Sequence, residues 1–280
     1  MREIAVQDVG AALERCIERA SFTMDAAELE ALRRHEVSER NCTGCAILGQ
    51  LIRNAGIAQA ERRPLCQDTG VAVVFLEIGQ EVRLTGGGLE EGVNAAVRHA
   101  YRTFALRPSL ARHPLRRVNT GDNTPAVIHV RVVPGDRVRV EFMAKGGGCE
   151  NMSRLAMLKP SDGREGVIEF VIRTVRESGG NACPPLVVGV GLGGNFERVA
   201  ELAKDALRRP FGEPAPDPED RELERELWER INALDLGPMG FGGDTTALAV
   251  HVASQGCHIA SLPVAVNLDC HSHRHAAEVL

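Results

Sequence analysis

An α+β fold, with helices mixed among a largely antiparallel sheet, is predicted by three features of the chain. Helical apolar stripes and short β-branched runs succeed one another without the regular βαβ alternation of a parallel sheet. Two β-branched runs flank Pro134-Gly135-Asp136, a turn signal that marks antiparallel pairing. The 280 residues, 44% of them hydrophobic, are enough to bury a full core as one large domain or two small ones.

Val9, Leu13, Cys16, Ile17 and Ala20 recur at helical spacing, as do Ile47, Leu48, Leu51, Ile52 and Ala55, so residues 1–60 are expected to be mostly helical. Val71 to Ile78 is a β-branched strand ending in Gly-Gln, and Leu89 to Phe104 returns to a helical stripe through Val93, Ala96, Val97 and Ala100. Ala126 to Val133 and Arg137 to Ala144 then predict an antiparallel hairpin. In its second arm Val138, Val140 and Phe142 alternate with Arg137, Arg139 and Glu141, which implies one wet face. A helix over Glu165 to Glu177, a strand over Leu186 to Val190 and a helix over Phe196 to Arg208 follow. The acidic, proline-containing stretch FGEPAPDPED reads as a surface connection. Arg221 to Leu234 is a further helix, and Ala247 to Val252 and Ile259 to Val266 are strands.

Charge and composition exclude several functions. With 33 basic and 38 acidic residues the net charge is −5, and no basic face is dense enough to follow a phosphate backbone, so nucleic acid is not an expected partner. The charged N-terminus MREIAVQDVG lacks a signal-peptide core, and the most apolar run, Pro184 to Gly194, is short and broken by glycine. A cytoplasmic protein without a membrane span is expected. Eight cysteines are too few for a disulfide scaffold here, and in a reducing compartment they are free, metal-binding or catalytic.

Cys66 in RPLCQDTG, Cys183 in GGNACPPL and Cys270 in VNLDCHSHRH sit beside residues that punctuate structure, where an inorganic cluster finds room. Their spacing matches no ferredoxin run, and an incidental role stays open. Cys42-Thr-Gly-Cys45 has zinc or redox spacing but precedes a helical stripe and lacks a second pair. Cys257, His258 and the tail Cys270, His271, His273 and His275 could hold zinc, although alternate tail histidines are more often solvated. His99, His113, His129 and His251 read as satisfied or exposed.

Gly189-Val-Gly191-Leu-Gly193-Gly194 fits a dinucleotide fingerprint between a strand and a helix. The acidic residue expected about 20 residues on would fall in FGEPAPDPED, which argues against it. What survives is an expectation that the helix N-terminus can hold an anion. Lys145-Gly146-Gly147-Gly148-Cys149-Glu150-Asn151 couples a cation, an amide and glycine N–H groups able to nest negative charge. Gln67 and Asp68 place an amide and a carboxylate next to Cys66.

Taken together, PLCQDTG, VNTGDNTPA, KGGGCENMSRLAMLKPSDG, NACPP and LPVAVNLDCHSHRHA closely resemble the α subunit, or N-terminal catalytic domain, of class I iron-sulfur fumarate hydratases and the related L-tartrate dehydratases. The resemblance covers nearly the whole chain. It implies a single hydro-lyase α domain over residues 1–280, with a 4Fe-4S cluster on Cys66, Cys183 and Cys270 whose fourth iron has no protein ligand. It further implies substrate contacts by Gln67, Asp68, Arg107 in LRPS, Gly148 and Asn151, with Asp68 also catalytic. Fumarases of this kind often carry serine where Cys149 stands and tartrate dehydratases can carry cysteine, whereas the following ENMS looks more like the fumarase version. Interconversion of fumarate and malate is therefore the first expectation, with tartrate dehydration or a non-catalytic cluster sensor as alternatives. In the family the base comes from a smaller β domain, so a separate β subunit and an αβ hetero-oligomer are expected.

Overall fold

The computed structural model describes residues 1–280. In chain order the strands and helices are β1 (Arg2–Ala5), α1 (Val6–Phe22), α2 (Ala26–Ser38), α3 (Cys42–Glu61), β2 (Val71–Gly79), β3 (Val82–Thr85), α4 (Leu89–Thr103), β4 (Val127–Val133), β5 (Val138–Lys145), α5 (Gly147–Met152) and β6 (Arg154–Leu158). They continue with α6 (Gly163–Ser178), β7 (Leu186–Gly194), α7 (Phe196–Leu207), α8 (Pro218–Asn232), β8 (Ala247–Cys257), β9 (Leu262–Asp269) and β10 (His275–Val279). The fold is α+β as predicted, and the strands pair antiparallel at β10/β5, β2/β5, β6/β9 and β7/β9 but parallel at β1/β3, β2/β4 and β7/β8. Two units divide the chain: residues 1–24, 55–147 and 274–280 form the first, and residues 25–54 and 148–273 the second.

The first unit holds a sheet of order β10-β5-β2-β4. The apolar stripe of α1, through Val9, Leu13, Cys16 and Ile17, packs with Val93, Val97 and Tyr101 of α4 against Val74, Val140 and Phe142. Small residues let these two helices close up, since a Cβ on Gly92 would meet Val6 Cγ1 at 2.2 Å. The predicted hairpin is corrected here. Both arms exist, yet β2 lies between them, parallel to β4 and antiparallel to β5. The end of β2 plugs into the turn: Gly79 N donates to Arg137 O (2.8 Å) and Gln80 N to Val133 O (2.8 Å). The wet face of β5 is also corrected. Arg139 is partly exposed, but Glu141, Met143 and Lys145 on the same face are buried.

In the second unit the sheet order is β6-β9-β7-β8. Val188 and Val190 face Ile168 and Val171 of α6 and Leu227 of α8, while Val199 and Ala203 of α7 pack with Ala265 on the other side. Covered on both faces, β7 and β9 read as continuous apolar runs. The glycine fingerprint lies inside β7 instead of forming a turn after it. A Cβ on Gly189 would lie 2.2 Å from Ala203 O, and one on Gly191 2.3 Å from Val199 O, so these glycines let α7 lie against the strand. The anion expectation at α7 is also corrected, because Asn195 Oδ1 accepts from Arg198 N (2.9 Å) and caps that terminus from within. FGEPAPDPED is a connection only in part: Asp217 caps Glu219 N (2.8 Å) and Pro218 opens α8. The histidine tail is not a solvated tail, since Ser272, His273 and Arg274 are buried and β10 pairs with β5.

Candidate functional site

In the first unit the segment entering β2 places Asp68 at the wall of a cleft of about 470 Å³, lined also by Arg107, Ser109, Asn119, Lys145 and Gly147. Asp68 accepts from Gly147 N (Oδ2, 2.8 Å), Gly70 N (Oδ1, 3.1 Å), Ser109 Oγ (3.3 Å) and Arg107 Nη2 (3.3 Å). Burial acts to raise its pKa, but the Gly147 and Gly70 N–H groups, with the charges of Arg274 and Arg107, outweigh that and hold it below the usual carboxylate range. The carboxylate is thus ionised at neutral pH and engaged by several donors. Arg107 stays largely exposed and keeps donors available to a ligand. Gln67 is exposed, and its Oε1 lies 3.6 Å from the thiol of half-buried Cys66.

Four contacts lace this corner together. Asn123, fully buried and in the left-handed region at φ 60°, accepts from Ser109 N (2.7 Å) and donates to Gly70 O (3.1 Å). Thr69 Oγ1 donates to Arg107 O, and Tyr101 Oη donates to Thr69 O (3.0 Å). The loop carrying Arg107 is therefore fastened to the segment carrying Asp68 from both sides.

In the second unit three loops converge. A Cβ on Gly148 would meet Asn181 O at 2.8 Å, and Cys149 Sγ donates to Ala182 O (3.3 Å). His271 Nδ1–H donates to Cys183 O (3.1 Å), which joins the Cys270 loop to the Cys183 loop. Cys183 itself is exposed, in left-handed backbone at φ 54°. The Cys149 and Cys270 sulfurs and an Asp269 oxygen lie within 4.8 Å of one another. Asp269 receives His273 Nδ1–H (2.8 Å) and Cys270 N (3.2 Å), and Cys270 Sγ is 3.1 Å from Ser272 Oγ. Buried Glu28 of α2 belongs to the same neighbourhood. Burial first, then the charges of Asp25, Asp269 and Cys270, push its carboxyl well above the usual range.

None of the eight cysteines is disulfide-bonded. Cys183 is exposed and Cys66 and Cys270 are partly open, each on a loop of its own unit where a thiolate is accessible to a metal. Cys16 is the contrast, buried in α1 with its thiol pushed up by burial to about 11. Cys45, in the first turn of α3, donates its thiol to Glu36 O of α2 (3.5 Å). Asn151 is exposed on α5, where its carbonyl accepts from Arg154 Nη1 (2.8 Å). Sequence reasoning missed Ser109, Glu28 and the Asp269–His273 pair. It passed over Asn123, although an Asn in a turn before Pro is a signal for left-handed backbone.

A cleft floored by an ionised carboxylate, an arginine and a glycine N–H, in a chain whose other loops gather cysteine thiols, is the layout of an enzyme for small anionic substrates. No helix is long and apolar enough to cross a membrane. The family model described as fumarate hydratase (Fumerase) matches residues 11–279. The chain is 44% identical over 236 residues to a Methanocaldococcus jannaschii protein provisionally named L(+)-tartrate dehydratase subunit alpha, 82% of each chain being covered. It is 36% identical over 250 residues to the L(+)-tartrate dehydratase subunit alpha of Escherichia coli strain UTI89, and 35% identical to that of strain K12, covering 88% of this chain and 82% of the relative in both cases. The chain belongs to the fumarate hydratase family, a family of hydro-lyases.

Proposed function

We propose that this chain is the catalytic α subunit of a 4Fe-4S-dependent hydro-lyase that dehydrates a small hydroxy-dicarboxylic acid, with L(+)-tartrate as substrate. The observation that carries the reading is the Asp68–Arg107 corner with its Gly147 N–H. The relatives' names favour tartrate over fumarate, the first expectation from sequence. Fumarate and malate form the second reading, favoured by the description of the family model.

Cys66, Cys183 and Cys270 are the proposed cluster ligands, on the strength of their motifs and of their loop positions. When bound, the cluster supplies an iron without a protein ligand, a Lewis acid for the substrate's hydroxyl and carboxylate oxygens. Arg107 binds the far carboxylate through its planar fork. Asp68, kept ionised by its donors, orients Arg107 and accepts a hydrogen bond from the substrate hydroxyl as it turns over. Gln67, Gly148 and Asn151 complete the proposed substrate contacts. Residues 1–280 act in this reading as one catalytic α domain. The general base is expected on a separate β subunit, in line with the relatives' names as alpha subunits. A cytoplasmic location is part of this reading, since loop thiols meant for a cluster are kept reduced there.

The test is anaerobic co-expression with a candidate β partner, followed by tartrate and fumarate assays beside iron and sulfide analysis. Turnover by a brown complex with about four irons, lost in Cys66→Ala, Cys183→Ala or Cys270→Ala, is the expected result. A brown but inactive complex would favour a sensory cluster, and a colourless one would refute the cofactor assignment.

A further inference from the structure

We propose that Cys149 is a resolving thiol for Cys270: in the cluster-free chain it captures peroxide-oxidised Cys270 as a disulfide and so keeps that sulfur recoverable. The chemistry needs only the two thiols and hydrogen peroxide, not the cluster. Its purpose rests on the reading of Cys270 as a cluster ligand.

The two sulfurs lie within 4.8 Å of each other in the second unit, against a bonded separation of about 2.05 Å. Cys270 follows Asp269, the last residue of β9 paired to β7, so its side chain can turn without breaking a ladder hydrogen bond. Access sets the order of events. Cys270 is partly open, whereas Cys149 is 4% exposed and meets the outside after its neighbour does. Ser272 Oγ lies 3.1 Å from Cys270 Sγ and fixes the side of the sulfur it occupies. Cys149 is meanwhile held by its weak bond to Ala182 O (3.3 Å), which a stronger covalent partner readily displaces.

The steps balance with hydrogen peroxide as oxidant. The Cys270 sulfur attacks a peroxide oxygen, the O–O bond breaks, and a sulfenic acid and water form, the thiol proton leaving in that water. The Cys149 sulfur then attacks the sulfenic sulfur, the S–O bond breaks, and hydroxide departs as water with the Cys149 proton. Two thiols give up two electrons, and one hydrogen peroxide accepts them. Without Cys149 the sulfenic acid is open to further oxidation to the sulfinic acid, which thiols do not reverse.

The experiment uses the full chain stripped of iron with a chelator, one equivalent of hydrogen peroxide, blocking of remaining thiols with N-ethylmaleimide, and peptide mass spectrometry. The expected product is a dithiothreitol-sensitive Cys149–Cys270 cross-link, retained in Cys66→Ser and Cys183→Ser. At two equivalents of peroxide, the amount that oxidation of a thiol to a sulfinic acid consumes, Cys149→Ser, and Cys149→Ala as a second variant in case one folds poorly, are expected to carry Cys270 as sulfinic acid. After dithiothreitol and reconstitution those variants should regain several-fold less iron and sulfide than the wild type treated alike. Cys270 joined to any other cysteine, sulfinic acid on Cys270 of the wild type at one equivalent, or equal recovery by the variants would overturn the proposal. An unoxidised Cys270→Ser chain that still takes up a full cluster would instead remove the ligand assignment, leaving the cross-link result to stand or fall separately.

Discussion

Replacing Asn123 by alanine should loosen the Arg107 loop, and the structure sets the size of the effect. The change leaves the Ser109 N–H, now held at 2.7 Å by a fully buried amide, without its acceptor; an orphaned buried donor costs about 1–3 kcal/mol. Gly70 O loses the Asn123 donor but keeps the Tyr101 hydroxyl at 3.4 Å, so that loss is nearer the net value of one hydrogen bond, about 1 kcal/mol. Alanine must also hold φ 60°, which costs a residue with a Cβ about 1–2 kcal/mol. A destabilisation of about 3–6 kcal/mol follows for Asn123→Ala, and about 1–2 kcal/mol less for Asn123→Gly, which accepts that backbone freely. The assay is urea unfolding of the chain, with KM and kcat of the assembled enzyme measured beside it. With Arg107 as the proposed carboxylate grip, KM should rise in both variants even where they remain folded. If Asn123→Ala loses under about 0.5 kcal/mol and binds substrate normally, the lacing described here does not position the arginine.

Other changes probe the remaining parts. Gly191→Ala should destabilise the second unit by about 1–3 kcal/mol or more without touching the cleft, since the obstructing atom is Val199 O and backbone cannot rotate away; thermal unfolding reads this out, and an unshifted midpoint would refute the packing role of the glycine. Arg107→Lys should raise KM by about 10-fold or more through loss of the two-pronged grip, with little change in unfolding; an unchanged KM would remove Arg107 from the substrate site. Asp68 has a depressed folded-state pKa, so its hydrogen bonds contribute in full above the unfolded value of about 3.9 and are lost as pH falls through the lower folded value. Asp68→Asn should therefore flatten the acid limb of the stability–pH curve, and an identical limb in both proteins would contradict the assigned direction.

Strand and helix positions were largely legible because the apolar periods are clean: α4 and α7 end within a residue of the sequence expectation. Pairing was not. Pro134-Gly135-Asp136 does reverse the chain, yet its arms stand one strand apart, about 9.6 Å at two sheet spacings, and β2 fills the slot from far earlier in the sequence. Nothing local to the turn encodes that neighbour. The glycines of β7 misled for a related reason, since a motif specifies only that backbone must be approached closely, and here a helix does the approaching. At the candidate site the motifs located Asp68 and Arg107, but Glu28 carries no signal, being one acid among several in an ordinary helix until tertiary packing buries it.

Neither unit is continuous in sequence, and the first is completed by residues 274–280. During translation β5 must wait for β10, so its outer hydrogen-bonding edge stays open until residues 275–279 have left the ribosome. An open edge of that kind recruits other strands. Closing that edge thus becomes a late folding step in its own right, and a disruption of residues 275–279 would act on β5, a strand made long before them in the middle of the chain.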